Sequence, residues 1–282
     1  MGLEILIAIP LILYPLLYFG QERLLFHPQP LDPVKREQVL RNHPDSEVTI
    51  TAEDGTTLHG WLHRPPGAPP EEGRGAPLII AFWGNAEEAS SVHYDLHHFR
   101  GWAVLSVNYR GYGLSEGEPT EAALFADATT LYDWARRQEG IDPERIVLLG
   151  RSIGSGVAVH LAAERSVAAV ILVTPYDSMV AVAGYHYPYV PVKVMLRHRF
   201  DSLARAPKIR EPMLALVAER DQTIPPKHAH RLIEAWGGTT RTITIPNADH
   251  NSLVGEPLYW QEIRRFLEEI ARGDAPSGDP DP

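Results

Sequence analysis

The sequence predicts an α/β fold in which a mostly parallel, twisted sheet is covered by helices on both faces. Two observations carry this expectation. Short runs recur at residues 78–83, 103–107, 146–149, 168–173, 213–217 and 242–245, apolar at successive positions as strands buried on both faces must be. Stretches of helical composition alternate with them, at residues 122–137, 153–164, 226–236 and 259–271. Strand–helix alternation of this kind is the sequence form of a doubly wound sheet. The 22 Gly and 25 Pro among 282 residues fit many short connections.

In chain order, the first element is an apolar run from Ile5 to Phe19 that holds no charge. Residues 3–20 would make a helix of about 27 Å, near the lower limit for crossing a bilayer. We therefore expect residues 1–20 to be a transmembrane anchor. Arg23, Lys35, Arg36 and Arg41 follow it and favour a cytoplasmic catalytic domain. A cleaved signal peptide fits poorly, because Glu4 rather than a cation precedes the run and no small-x-small site follows. Residues 46–64 read as a hairpin around the turn pair Asp54-Gly55. Residues 64–77 form a Pro- and Gly-rich loop, and a single domain spans 21–272. The tail 273–282, rich in Pro, Gly, Ser and Asp, is expected to be disordered.

Composition narrows the chemistry. The absence of cysteine excludes disulfides, cysteine-based zinc or iron–sulfur sites and a thiol nucleophile. A net charge of −10 argues against nucleic acid as the partner. His93 and His97 have a spacing that could hold a metal on a helix, but no carboxylate set accompanies them, and neither metal nor cofactor is expected.

One strand–helix junction carries reactive chemistry. Gly150-Arg151-Ser152-Ile153-Gly154 is a G-x-S-x-G pentapeptide between a predicted strand and a predicted helix. Such a turn must be very tight for the serine hydroxyl to project above the sheet, and the glycines remove Cβ atoms that would collide there. A serine hydroxyl is a poor nucleophile without a base, and the base needs an orienting carboxylate. In this topology the order is Ser, acid, His, each beyond a later strand. Asp221 follows the strand at 213–217, and His250 sits in the loop after the last strand. Asp249 is the nearest rival acid, but a side chain adjacent to His250 would point away from its ring. Two backbone N–H groups should face the developing oxyanion, one from Ile153 and one from Asn85 in the loop Trp83-Gly84-Asn85-Ala86.

These residues together resemble a known family. Gly84-Asn85-Ala86, Asn108-Tyr109-Arg110-Gly111-Tyr112-Gly113, the elbow at 150–154, Arg199-Phe200-Asp201-Ser202, Asp221 to Pro225 and Asp249-His250-Asn251 occur in its order. They resemble the membrane-anchored branch of α/β-hydrolase-domain serine hydrolases, which includes lysophospholipid- or monoacylglycerol-lipase-like and depalmitoylase-like enzymes. The likeness runs from about Gln21 to Leu267. It implies the α/β-hydrolase fold, with Ser152 as nucleophile, Asp221 as acid, His250 as base and Asn85 with Ile153 as oxyanion donors. Two positions depart from the family: Trp83 stands where a histidine is usual, and Ala218-Glu219 where His-Gly is common.

Residues 175–211, between two predicted strands, exceed a simple connection and read as a small helical cap. With Trp83, the cap residues Tyr176, Met179 and Tyr185 are candidates for a substrate pocket. An apolar, aromatic cap suits an acyl chain. The expected function is hydrolysis of a carboxylic ester or thioester with a hydrophobic or lipidated acyl group, at a membrane. A peptidase of the same fold and a non-catalytic binding protein are the alternatives. Arg110 and Asp127 are expected to be structural, His160 to be a packed helix residue, and His228 and His230 to be solvated.

Overall fold

The computed structural model describes residues 2–65 and 75–274, with the backbone alone for 2–12. Residues 66–74 of the expected loop and 275–282 of the expected tail lie outside the described residues. Eight strands form one sheet in the order β1-β2-β4-β3-β5-β6-β7-β8. β1 (Glu47–Thr51) and β2 (Thr57–His63) are the expected hairpin, antiparallel about Gly55, whose φ of 86° the turn requires. β2 also runs antiparallel to β4 (Ala103–Val107). β3 (Ala76–Phe82), β4, β5 (Ile141–Arg151), β6 (Ala169–Val173), β7 (Met213–Ala218) and β8 (Thr240–Ile245) are mutually parallel.

β4, β6 and β7 are buried at every position because helices cover both faces. α3 (Glu121–Ala135) and α4 (Ile153–Glu164) lie in the core with Leu78, Ile80, Leu148 and Val170. On the other face α8 (Pro257–Arg272) packs Tyr259, Ile263, Phe266 and Leu267 against Ile79, Val147, Ile171 and Leu214. Each such side chain, removed from water, contributes roughly 1.5–3 kcal/mol. The chain thus has the α/β-hydrolase fold, a mostly parallel sheet between helical layers.

The cap is two short helices, α5 (Met179–His186) and α6 (Val192–Met195), between β6 and β7. α7 (Pro226–Glu234) follows β7. Arg110 joins three segments. It binds Asp127 of α3 at 2.8 and 2.7 Å, Asp54 of the hairpin turn at 2.5 and 3.2 Å, and the Thr56 hydroxyl. Burial pushes the Asp127 carboxyl up, and the guanidinium opposes that shift. His160 stacks on Phe125 with centroids 3.8 Å apart, a packed helix residue as expected.

The N-terminal expectation is corrected. α1 is a single helix over Gly2–Leu25. Among the described residues no helix is long and apolar enough to cross a membrane, which overturns the anchor and the membrane-tethered placement built on it. The apolar run does not end the helix at Gly20. It continues through Gln21, Glu22 and Arg23, and these turns dock on the cap. Gln21 accepts from the Arg197 N–H at 2.8 Å and donates to the Met195 carbonyl at 3.3 Å, and Glu22 pairs with Arg197 and His198. Tyr14 donates to the Tyr189 carbonyl at 3.4 Å.

Beyond α1, the polar helix α2 (Pro33–Asn42) starts at an Asp32 cap and ends against a cluster of imidazoles. His63 of β2 lies 4.2 Å from His93 and 4.9 Å from His43 between ring centroids. His93 belongs to a 3₁₀ turn, not the helix its spacing suggested. Burial first, then the neighbouring rings, pushes His63 down to about 3. Burial likewise brings His93 to about 4. The unfolded chain takes up these protons near 6.5, the folded chain only well below it. Stability is therefore intact above the unfolded value and is lost as pH falls from about 6.5 towards the folded values. The urea midpoint should fall between pH 7 and pH 5. His63→Leu should narrow that difference, since neither ring nitrogen of His63 has a protein partner.

Candidate active site

The end of β5, the start of α4 and the loops after β3, β7 and β8 meet at the C-terminal edge of the sheet. Ser152 is the residue between β5 and α4, with φ 52° and ψ −122°, a backbone conformation that a side-chain-bearing residue rarely adopts. Three bonds hold it there. The Ser152 N–H donates to the Val173 carbonyl at 2.9 Å, and the Ser152 carbonyl accepts from the Ser155 N–H and hydroxyl at 2.9 and 2.7 Å. A Cβ on Gly150 would lie 2.6 Å from the Gly154 carbonyl, and one on Gly154 would enter the Phe82 backbone. Both glycines are therefore required by the close approach of α4 to β5 and β3.

His250 presents its Nε2 3.0 Å from the Ser152 Oγ and its Nδ1 2.7 Å from Asp221 Oδ2. An ionised carboxylate only accepts, so Nδ1 carries the proton and Nε2 offers its lone pair to the hydroxyl. Asp221 is 5% exposed, and its other oxygen accepts from the Thr223 and Ile224 N–H groups, each at 2.8 Å. Those bonds fix the carboxylate against rotation. Asp249 is occupied elsewhere: one oxygen accepts from the Asn251 and Ser252 N–H groups, and those bonds, Ser252 first, hold its carboxyl below the usual range.

In the loop after β3, the Gly84 N–H is taken by Glu87 at 2.7 Å. The Asn85 side chain is also committed. Its oxygen accepts from the His27 N–H at 3.0 Å and the Tyr112 hydroxyl at 2.9 Å, while its nitrogen donates to the Leu25 carbonyl at 2.5 Å. These bonds do not use the Asn85 backbone N–H. Ile153, as the first residue of α4, has an N–H with no intrahelical carbonyl to bind. The side chain of Asn85 thus ties the exit of α1 to this loop.

Two residues not singled out in the sequence brace the site. Arg151 pairs with Glu87 and extends towards the His250 carbonyl at 3.4 Å. One guanidinium so links the loop after β3, the serine turn and the histidine loop. The sequence carried a signal: a charged residue in a tight strand–helix turn, where Arg151 is only partly exposed, must find an anion nearby. Of the expected pocket residues, Trp83 turns into the core and donates to Ser106 Oγ at 2.7 Å. Tyr176 is fully buried with its hydroxyl 3.4 Å from the Ile153 carbonyl. Met179 is half-buried at the start of α5, and Tyr185 is 51% exposed on the cap. The structure does not bring these four together in one pocket. Among the described residues, no group of three or more His, Cys, Asp or Glu side chains could hold a metal ion.

The comparisons agree with this architecture. Residues 77–204 match the family model described as the alpha/beta hydrolase fold. The chain is 33% identical over 256 residues to the uncharacterized protein Rv2307c of Mycobacterium tuberculosis, covering 89% of this chain and 88% of that one. The chain belongs to the α/β-hydrolase family. It is also 32% identical over 225 residues to Protein ABHD12B of Homo sapiens, covering 69% of this chain and 61% of that longer one. An acetyl xylan esterase from Paenibacillus sp. R4 superimposes with a TM-score of 0.65 at 19% identity, over 88% of this chain and 98% of that one. At that identity the likeness speaks for the fold.

Proposed function

We propose that this α/β-hydrolase is a serine hydrolase that cleaves carboxylic esters or thioesters through an acyl-enzyme. The observation that supports it most is the continuous relay from Ser152 Oγ through His250 to Asp221, at 3.0 and 2.7 Å. His250 Nε2 takes the Ser152 proton as Oγ bonds to the substrate carbonyl carbon. Asp221 stabilises the imidazolium that forms. The oxyanion is held by the backbone N–H groups of Asn85 and Ile153. The bond to the leaving oxygen or sulfur then breaks, and His250 returns its proton to that atom. A water molecule, giving a proton to His250, attacks the acyl carbon, and Ser152 leaves with the proton. The acid is released as a carboxylate.

Esters are favoured over amides because an alkoxide or thiolate departs more readily than an amine, and the esterase neighbour shares the fold this reaction needs. A panel of p-nitrophenyl esters of increasing chain length, acyl thioesters and p-nitroanilides tests the reading. Saturable turnover of esters and thioesters, with anilides cleaved far more slowly, is the expected result. Preferential cleavage of anilides would mark a peptidase, and no turnover of any substrate by folded protein would mark a binding protein on a hydrolase scaffold.

A further inference from the structure

The cap carries a groove of about 710 Å³, between α5, α6 and the start of α7, that the proposed reaction does not use directly. Clefts of roughly 300–1,000 Å³ hold ligands of ordinary size. Its walls are aliphatic and aromatic, including Val180, Val190, Val192 and Tyr185, and no lining residue is acidic. Lys193, Lys227 and Arg231 line it as well. On a chain of net charge −10, a groove with three cations and no carboxylate in its lining stands apart.

The placement of these charges is not explained by the fold. Lys227 and His228 occupy the first turn of the nine-residue helix α7, which has no acidic residue there and no side-chain cap from Pro225. The positive end of a helix disfavours cations and attracts anions. Lys227 Nζ lies 3.7 Å from the centre of the Tyr185 ring, and neither Lys227 nor Lys193 has a carboxylate partner among the described residues. His228 was expected to be solvated, yet it is 1% exposed. Its Nδ1 is bound by Asp177 at 2.9 Å, and Arg231 meets the other Asp177 oxygen at 3.2 Å. The second nitrogen of His228, Nε2, is buried without a partner. Because Asp177 only accepts, Nδ1 carries the ring proton and Nε2 is left as an acceptor. Asp177 neutralises one of the three cations, so the groove retains an excess of positive charge.

We propose that this groove is a binding site for a single-chain aliphatic carboxylate, its alkyl chain along the valine wall and its head at Lys193 and Lys227. The choice of a carboxylate rests on the proposed reaction, which releases one. The groove also adjoins the acid loop: His186 of α5 bonds the Thr223 carbonyl at 2.9 Å, two residues beyond Asp221, and α7 begins where that loop ends.

Isothermal titration of the full chain with sodium laurate, below its micelle concentration, tests the site. Saturable 1:1 binding is expected for the natural protein and equally for Ser152→Ala, so that failure of the hydrolase reading leaves this result untouched. The Lys193→Ala/Lys227→Ala double variant, altered at exposed side chains, should bind roughly 10-fold more weakly, as should dodecanol to the natural protein. Equal laurate affinity in the double variant, or equal affinity for dodecanol, would overturn the proposal. Dodecyl phosphate binding 10-fold tighter than laurate would overturn the assignment to a carboxylate.

Discussion

Ser152→Ala is expected to lower ester turnover by roughly 10³- to 10⁶-fold, the range seen when a serine nucleophile is removed. Alanine keeps the Cβ and the strained φ of 52°, so the variant isolates the loss of the hydroxyl. The bonds that pin this turn run through the backbone of residue 152, and alanine preserves them. Thermal unfolding should therefore stay within about 0.5–1 kcal/mol of the natural protein, a range typical of substitutions that open no cavity and strand no polar group. Steady-state hydrolysis of a p-nitrophenyl ester, beside a melting curve, gives both readings. Turnover within tenfold of the natural enzyme would remove Ser152 from the mechanism.

The second large effect is expected at Asp221. Asp221→Asn should reduce kcat by about 10⁴ without unfolding the protein. The amide oxygen can still accept from the Thr223 and Ile224 N–H groups, as Oδ1 does now. The amide nitrogen then faces His250 Nδ1, where Oδ2 stands at 2.7 Å. A donor there forces Nδ1 to accept, which moves the ring proton to Nε2. His250 would then offer Ser152 a proton rather than a lone pair. KM should change little, because no substrate contact is altered, and a matched fall in kcat and kcat/KM would report that pattern. Full activity in the variant would mean that another group orients the base.

Much of the fold was legible because buried parallel strands must be apolar on both faces. The run 103–107 is β4 with the same bounds, and the runs at 78–83, 168–173, 213–217 and 242–245 lie within two residues of β3, β6, β7 and β8. β5 is longer than its apolar run because Pro143, Glu144 and Arg145, which are not buried, interrupt the pattern before the buried Ile141 and Asp142, the latter paired with Arg145 at 2.7 Å. α2 was not foreseen. Its residues are mostly polar, and it is specified by the Asp32 cap and Pro33 rather than by periodicity. The three residues of the relay were legible because each must stand just beyond a strand.

Elsewhere the sequence misled for physical reasons. Hydropathy over residues 3–20 reads α1 as a unit, but the docking of Gln21 and Glu22 on the cap depends on partners about 175 positions away. His228 sits in a polar segment and still goes inside, because Asp177 reaches it across 51 positions. Trp83 borders the loop after β3 in sequence, yet its indole finds Ser106 and packs in the core. Long-range polar pairing, in each case, is what local pattern cannot encode.

The most direct test of the central claim is covalent. The full chain, treated with a fluorophosphonate, whose phosphorus bonds to an activated serine oxygen as fluoride leaves, should gain one adduct mass within minutes. Peptide mapping should place that adduct on Ser152, with none on Ser152→Ala. Folded protein that remains unlabelled, or an adduct on another serine such as Ser155, would contradict the relay as the working centre of this enzyme.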